Sequence, residues 1–258
     1  MIKRIDREWN GKKFHTYTID GKAAVGVTTA LKGIPKDALV PWAAKEVATY
    51  VVDNIYDVKR MLDSGGKYPT IDFLKGIPNQ RRDTAAVRGT AVHALAEKYI
   101  RGEEIEVPDD VLPYVEGYAA FINDWTPVSV HEELVVANRT HLYAGTLDSI
   151  QELPGEGVAL VDYKTSRGVY GEVALQVAAY RYAEVYLDGD GTEHPMVPVD
   201  TTLVLHIQPG TYDLIPLQAD EETFQKYLAA QRNYLTNVQS KKLDKLLGQP
   251  LVRPGEAA

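Results

Sequence analysis

The chain has 258 residues, 45% of them hydrophobic and 25% charged, with 28 Lys and Arg against 36 Asp and Glu for a formal charge of −8. That is the composition of a soluble globular protein, and its sign argues against a general nucleic-acid coating protein. The absence of cysteine excludes disulfides, zinc–thiolate sites and cysteine-held iron–sulfur clusters, and no apolar run reaches membrane-spanning length. The first residues, Met1-Ile2-Lys3-Arg4-Ile5-Asp6-Arg7, lack the apolar core of a secretion signal, so a cytoplasmic location without a membrane partner is expected.

Residues 14–19 and 23–27 read as a hairpin turning at Asp20-Gly21. Gly21 and Gly26 have the spacing of a phosphate-binding loop, but Val27 stands where its lysine must be, so no ATP site is expected there. Pro41 to Leu62 reads as one helix, with Ala44, Val47, Ala48, Val51, Ile55, Val58 and Leu62 at helical spacing and Ser64-Gly65-Gly66 as its stop. Asn79 to Ile100 reads as a second. Its core stripe is Val87, Ala91, Leu95 and Tyr99, and another face carries Ala86, Gly89, Thr90, His93, Ala96 and Glu97. Small residues around His93 allow close approach by another group, while a packing face with a half-exposed His93–Glu97 pair explains the same pattern. Pro108 to Trp125 reads as a third helix.

Strands are then expected over Val128 to Ala137, Leu142 to Leu153 and Val158 to Thr165. Alternation puts Val128, Val130, Glu132 and Leu134 on one face, so Glu132 is the inward candidate, with a solvent-facing Glu132-Glu133 edge pair as the alternative. Glu172 to Leu187 reads as a helix whose Val173, Gln176, Val177, Tyr180, Ala183 and Leu187 share a face. Gln176 interrupts that stripe and needs partners, either at the end of the preceding strand or on backbone groups of the sheet. Thr201 to Gln208 and Tyr212 to Leu217 form a hairpin about Pro209-Gly210. Asp220 caps a final amphipathic helix ending near Gly248. Without repeats or low-complexity linkers, a single α/β domain over 1–258 is expected: a helical arm at about 40–126, a core at about 127–218 and a C-terminal helix at about 220–247. Charge is uneven along it. Six Lys or Arg fall between Lys75 and Arg101, and nine acidic residues with no Lys or Arg between Gly102 and Glu133. The first segment reads as a basic lip for a polyanion, or as an ordinary solvated face.

The chemistry concentrates in Val158-Ala159-Leu160-Val161-Asp162-Tyr163-Lys164-Thr165-Ser166. An apolar strand carries Asp162 and Lys164, which period two places on one face. A structural ion pair would suffice to explain them. Asp148 lies on the preceding strand, however, and Pro154-Gly155-Glu156-Gly157 turns that strand back toward Asp162. Two carboxylates brought together repel unless a proton or cation lies between them, and hard oxygen donors suit magnesium or manganese.

Together these elements resemble the RecB-type branch of the PD-(D/E)xK nuclease superfamily. The resemblance is carried by Gly89-Thr90-Ala91-Val92-His93, Gly145-Thr146-Leu147-Asp148, Asp162-Tyr163-Lys164-Thr165 and Gln176-Val177-Ala178-Ala179-Tyr180. Val27-Thr28-Thr29-Ala30-Leu31 and Leu39-Val40-Pro41-Trp42 are similar to stand-alone phage and prophage nucleases of that branch. The resemblance implies a restriction-endonuclease-like core, a mixed central sheet flanked by helices, with an N-terminal helical arm. It implies a DNA exonuclease dependent on Mg2+ or Mn2+, two ions in all, with no iron–sulfur cluster and no ATP, in phage replication, recombination or processing. Such a protein would act in the host cytoplasm, with DNA and a homo-oligomer or recombination protein as partners. His93, Asp148, Asp162 and the Tyr163 carbonyl would hold metal. Lys164 would serve catalysis, and Gln176 and Tyr180 would position the strand and the lysine. Glu97 and Glu132 would give outer support, and Arg81, Arg82, Arg88 and Arg167 would hold the DNA backbone. A structure-specific endonuclease and a silent DNA-binding recombination module are the alternatives.

Overall fold

The computed structural model describes residues 1–9, 12–100, 107–239, 243 and 245–248, with side chains at all of these except positions 9, 12, 13, 85, 86, 88, 93, 94 and 96–100. Strands β1 (Ile2–Trp9) and β2 (Lys12–Ile19) form an antiparallel ribbon, and β2 turns through Asp20 and Gly21, both at positive φ, into β3 (Lys22–Gly26). The turn is where the sequence places it. The strand status of β1 is not predicted. A short helix α1 (Val27–Ala30) and a 3-10 turn (Leu31–Gly33) lead to the helical arm.

The arm departs from expectation at several points. Its first helix is two, α2 (Leu39–Asp53) and α3 (Ile55–Gly65). Asn54 separates them because its side-chain amide and its own N–H both donate to the Tyr50 carbonyl, at 3.0 Å each, a side-chain competition that ends helices. Neither helix has a buried residue, so the expected apolar stripe is not a core stripe. The next helix, α4 (Lys67–Ile100), starts twelve residues before Asn79 and runs through Pro78. Proline there supplies no donor to the Leu74 carbonyl, and the helix continues regardless. Val87, assigned to its core stripe, is 71% exposed. Val92 is the buried residue, with Ala91 and Leu95 packed beside it. Helix α5 (Leu112–Trp125) begins with Pro113 in its first turn, where no N–H is needed.

Strands β4 (Val128–Asn138), β5 (Tyr143–Leu153) and β6 (Gly157–Lys164) follow as read. Helix α6 (Glu172–Arg181) stops six residues short of the expected Leu187. The Asn138 amide takes the Tyr182 carbonyl at 3.0 Å, and the Glu184 N–H reaches the Ala137 carbonyl at 2.9 Å, so the chain is drawn onto β4. The result is β7 (Val185–Leu187), paired with β4 and with β8 (Glu193–Pro195). Strands β9 (Thr201–Gln208) and β10 (Thr211–Pro216) form the expected hairpin. Asp220 accepts the Thr223 N–H at 2.9 Å and caps α7 (Glu221–Gln239). Among residues 240–248 the described ones are not α-helical: Leu243, Lys245 and Leu246 are 3-10 and Leu247 and Gly248 irregular.

The sheet is mixed and flanked by helices on both faces. β6 lies between β5, antiparallel, and β9, parallel. One core joins α1, α6 and α7 to the sheet through Leu147, Ile150, Val177, Tyr180 and Tyr227. The other joins α4 and α5 through Val92, Tyr118, Phe121, Val161 and Tyr163. This two-sided burial is why β6 reads as a continuous apolar run. No helix among the described residues is long and apolar enough to cross a membrane.

Candidate active site

The site forms where two ladders lapse side by side. β5 pairs with β6 from Ser149↔Val161 to Leu153↔Gly157. One step further in the same register would put Asp148 opposite Asp162, but there the ladder ends. The Tyr163 N–H donates instead to the Asp148 carboxylate, at 2.6 Å. On the other side, Glu132↔Ser149 and Leu134↔Leu147 bracket a missing pair, Glu133 opposite Asp148. Glu133 has φ 49°, left-handed and costly for a non-glycine residue. Thus β4, β5 and β6 bring Glu133, Asp148 and Asp162 abreast.

A cleft of about 750 Å³ opens at this lapse. Asp148, Glu133, Lys164, Gln176 and Tyr180 line it, together with Gly89 and Thr90 of α4, Val27, Thr28 and Thr29 of α1, and Phe14, His15 and Tyr17 of β2. Asp162 is 1% exposed. Lys164 pairs with its Oδ2, and the Gln176 amide donates to its Oδ1 at 2.8 Å and to the Tyr180 hydroxyl at 3.4 Å. Gln176 thus finds its partner at the strand end. Burial acts to lower the Lys164 pKa, and Asp162 and Asp148 outweigh it, so the ammonium titrates above the usual lysine range. Burial, reinforced by Asp162 and Asp148, raises the Tyr180 phenol well above its usual value, and it stays protonated.

Two glycines set the depth of the cleft. A Cβ on Gly145 would lie 2.8 Å from the Tyr180 ring and 2.9 Å from a Val27 methyl, and one on Gly89 would lie 3.2 Å from Thr165 Oγ1. Glycine at these points lets α6, α1 and α4 close on the strands. His93 is one turn beyond Gly89 on α4. The side chains of Arg88, His93 and Glu97 lie outside the described residues.

Glu132 points inward, as expected, but it shares the sheet face of Tyr163, opposite to Lys164. It accepts from Ser129 and Ser149, at 2.8 Å each. Burial, partly offset by these bonds, pushes its carboxyl up to about 7. Beside it the Gln151 amide donates to the Tyr163 hydroxyl at 2.7 Å. Arg81 pairs with Glu46 and Arg82 with Asp83. Neither they nor Arg167 lines the cleft, and Arg167 instead faces a neighbouring cavity beside His206. Glu133 and the β2 aromatics were not singled out in the sequence. A left-handed residue inside a strand carries no signature in period-two alternation, and Phe14, His15 and Tyr17 read only as part of a hairpin strand.

The donor set suits a hard divalent cation. Asp148 and Asp162 both act on the Lys164 ammonium, and two carboxylates held near one cation leave negative charge that a further cation would offset. Asp148 lines the cleft and accepts the Tyr163 N–H, while Asp162 is buried and held by Gln176 and Lys164. Among the described residues no three His, Asp or Glu converge closely enough to coordinate one ion, so Glu133 shares the cleft without completing the set.

No family model and no curated protein matches the chain. The solved structure titled "Crystal structure of SSO0001" is similar over 83% of this chain and 75% of its own, at 13% identity and a TM-score of 0.35, too low to bear on activity.

Proposed function

We propose that this chain is a divalent-metal-dependent DNA exonuclease with a PD-(D/E)xK core of the RecB type. The observation that carries the reading is the lapsed ladder that sets Asp148 opposite Asp162 in register, with Asp148 and Lys164 lining a cleft and Lys164 paired to the buried Asp162. Asp148, Asp162 and the Tyr163 carbonyl would hold magnesium or manganese. When bound, such an ion lowers the pKa of a coordinated water and acts as a Lewis acid toward a phosphate.

The chain's own residues account for the rest. Gln176 fixes the Asp162 carboxylate through its amide proton. Lys164 stays charged and offers an ammonium that orients the attacking water or balances negative charge growing on phosphate oxygens. Tyr180 stands behind Gln176 and, against Gly145, walls the cleft. A chain of −8 with a recessed site has little surface for gripping duplex along its length, since sequence-independent affinity grows with phosphate contacts. A strand end suits it better.

Digestion of end-labelled linear DNA beside covalently closed circles, with magnesium or manganese and then with chelator, tests the proposal. Linear DNA should shorten to mononucleotides or short oligonucleotides, without ATP, while circles survive. Nicking of closed circles would move the reading to an endonuclease. Inertness toward both forms with either metal would overturn it.

A further inference from the structure

The β1–β2 ribbon takes no part in the chemistry above, yet it overhangs the cleft. β3 pairs with β2 only at Tyr17, Thr18 and Ile19, so among the described residues the pairs from Ile5↔Thr16 to Trp9↔Lys12 extend past β3 with no strand paired on that side. A groove of about 480 Å³ runs along this projection, lined by Arg4, Asp6, Arg7, Glu8, Phe14 and His15. Phe14 and His15 also line the cleft, so groove and cleft share these two side chains. The ribbon is basic: Lys3, Arg4, Arg7, Lys12 and Lys13 against Asp6 and Glu8 give 5 − 2 = +3 in a chain of −8. Phe14 is 45% exposed and sits opposite Arg7 in the ladder, so ring and guanidinium project together. Arg4 reaches Thr146, two residues from Asp148, at 3.3 Å.

We infer that this ribbon grips the single-stranded end of a DNA substrate and leads it to Asp148 and Lys164, an inference that rests on the nuclease reading. Phosphates explain the local charge. An exposed aromatic beside an arginine is what an unpaired base stacks on, and a paired duplex keeps its base faces covered. A single backbone also bends into a recessed site where a stiff duplex does not.

The test separates binding from cutting. Anisotropy of a fluorescently labelled single-stranded deoxyoligonucleotide is measured in chelator, where no hydrolysis proceeds. Arg7→Ala/Phe14→Ala should weaken binding by roughly tenfold or more, the scale of one lost stacked base, and lower the salt slope by about one for the lost phosphate contact. Phe14→Trp should restore the affinity, and Arg60→Ala on the helical arm, the same loss of charge elsewhere, should not change it. Wild-type affinity in the double variant, or an equal loss in Arg60→Ala, would overturn the inference while leaving the nuclease reading intact. Binding that depends on the ribbon in a protein inert with every metal would sustain the grip and sink the nuclease reading.

Discussion

Asp162 is buried with its two oxygens shared between Lys164 and Gln176. Removing one partner of a buried pair leaves an uncompensated charge and costs about 3–5 kcal/mol. Because the Lys164 side chain is 24% exposed, the lower end of that range is expected for Lys164→Ala in urea titrations with chelator. Added manganese should recover part of the loss, because the metal binds only the folded protein. Unchanged stability would show that the pair is solvated and the carboxylate not held as described. Glu132 gives a second prediction. Its carboxyl is raised from 4.5 to about 7 in the fold, so the folded state holds a proton that the unfolded chain has lost. Its contribution is fully present below pH 4.5 and lost as pH rises through about 7, on the order of 3 kcal/mol. Glu132→Gln should flatten this dependence and leave the protein more stable than wild type at pH 8, again in chelator. Parallel pH profiles would contradict the assignment.

At the scale of elements, the β5–β6 hairpin and the start of α6 were legible because their signals are local: an apolar run, a Pro-Gly-Glu-Gly turn and charges at period two. That reading placed Asp148, Asp162 and Lys164 at one strand end and left Gln176 between that end and the backbone of the sheet; its bond to Asp162 decides for the first. What stayed hidden depends on partners distant in the chain. β1 carries no apolar alternation and is a strand only because β2 pairs with it. β7 and β8 are three residues each, too short for a period to register, and they displaced the expected end of α6. The α2–α3 break lies in one asparagine's side chain. Glu133 was unread because the alternation that selected Glu132 assigns its neighbour to the other face and says nothing of a left-handed backbone there. The joint of α6, α1 and β5 also yields a prediction. Gly145→Ala puts a methyl against Tyr180 and Val27, overpacking worth about 1–3 kcal/mol. Thermal unfolding should show that loss, and DNA cleavage should fall with it, since Tyr180 must move away from Gln176. A stable and fully active variant would show that the contact yields freely.

For the whole molecule, the charge distribution is the feature that joins fold to proposal. In the basic helical segment seen in the sequence, the described basic side chains each meet an acid, Lys75 on Asp72, Arg81 on Glu46 and Arg82 on Asp83. Besides Lys164, which lines the cleft, the N-terminal ribbon brings positive charge to its edge, with Arg4 on Thr146. The central claim is that Asp148, Asp162 and Lys164 form a metal-dependent phosphodiester-cleaving centre. The most direct measurement is the rate of nucleotide release from end-labelled linear DNA across a manganese titration, wild type beside Asp162→Asn and Lys164→Ala. Release should rise and saturate with manganese in the wild type, and both variants should fall by several orders of magnitude. Lys164→Ala should still bind manganese by calorimetry, and Asp162→Asn should not. Release by Asp162→Asn at the wild-type rate and with the wild-type metal dependence would contradict the account.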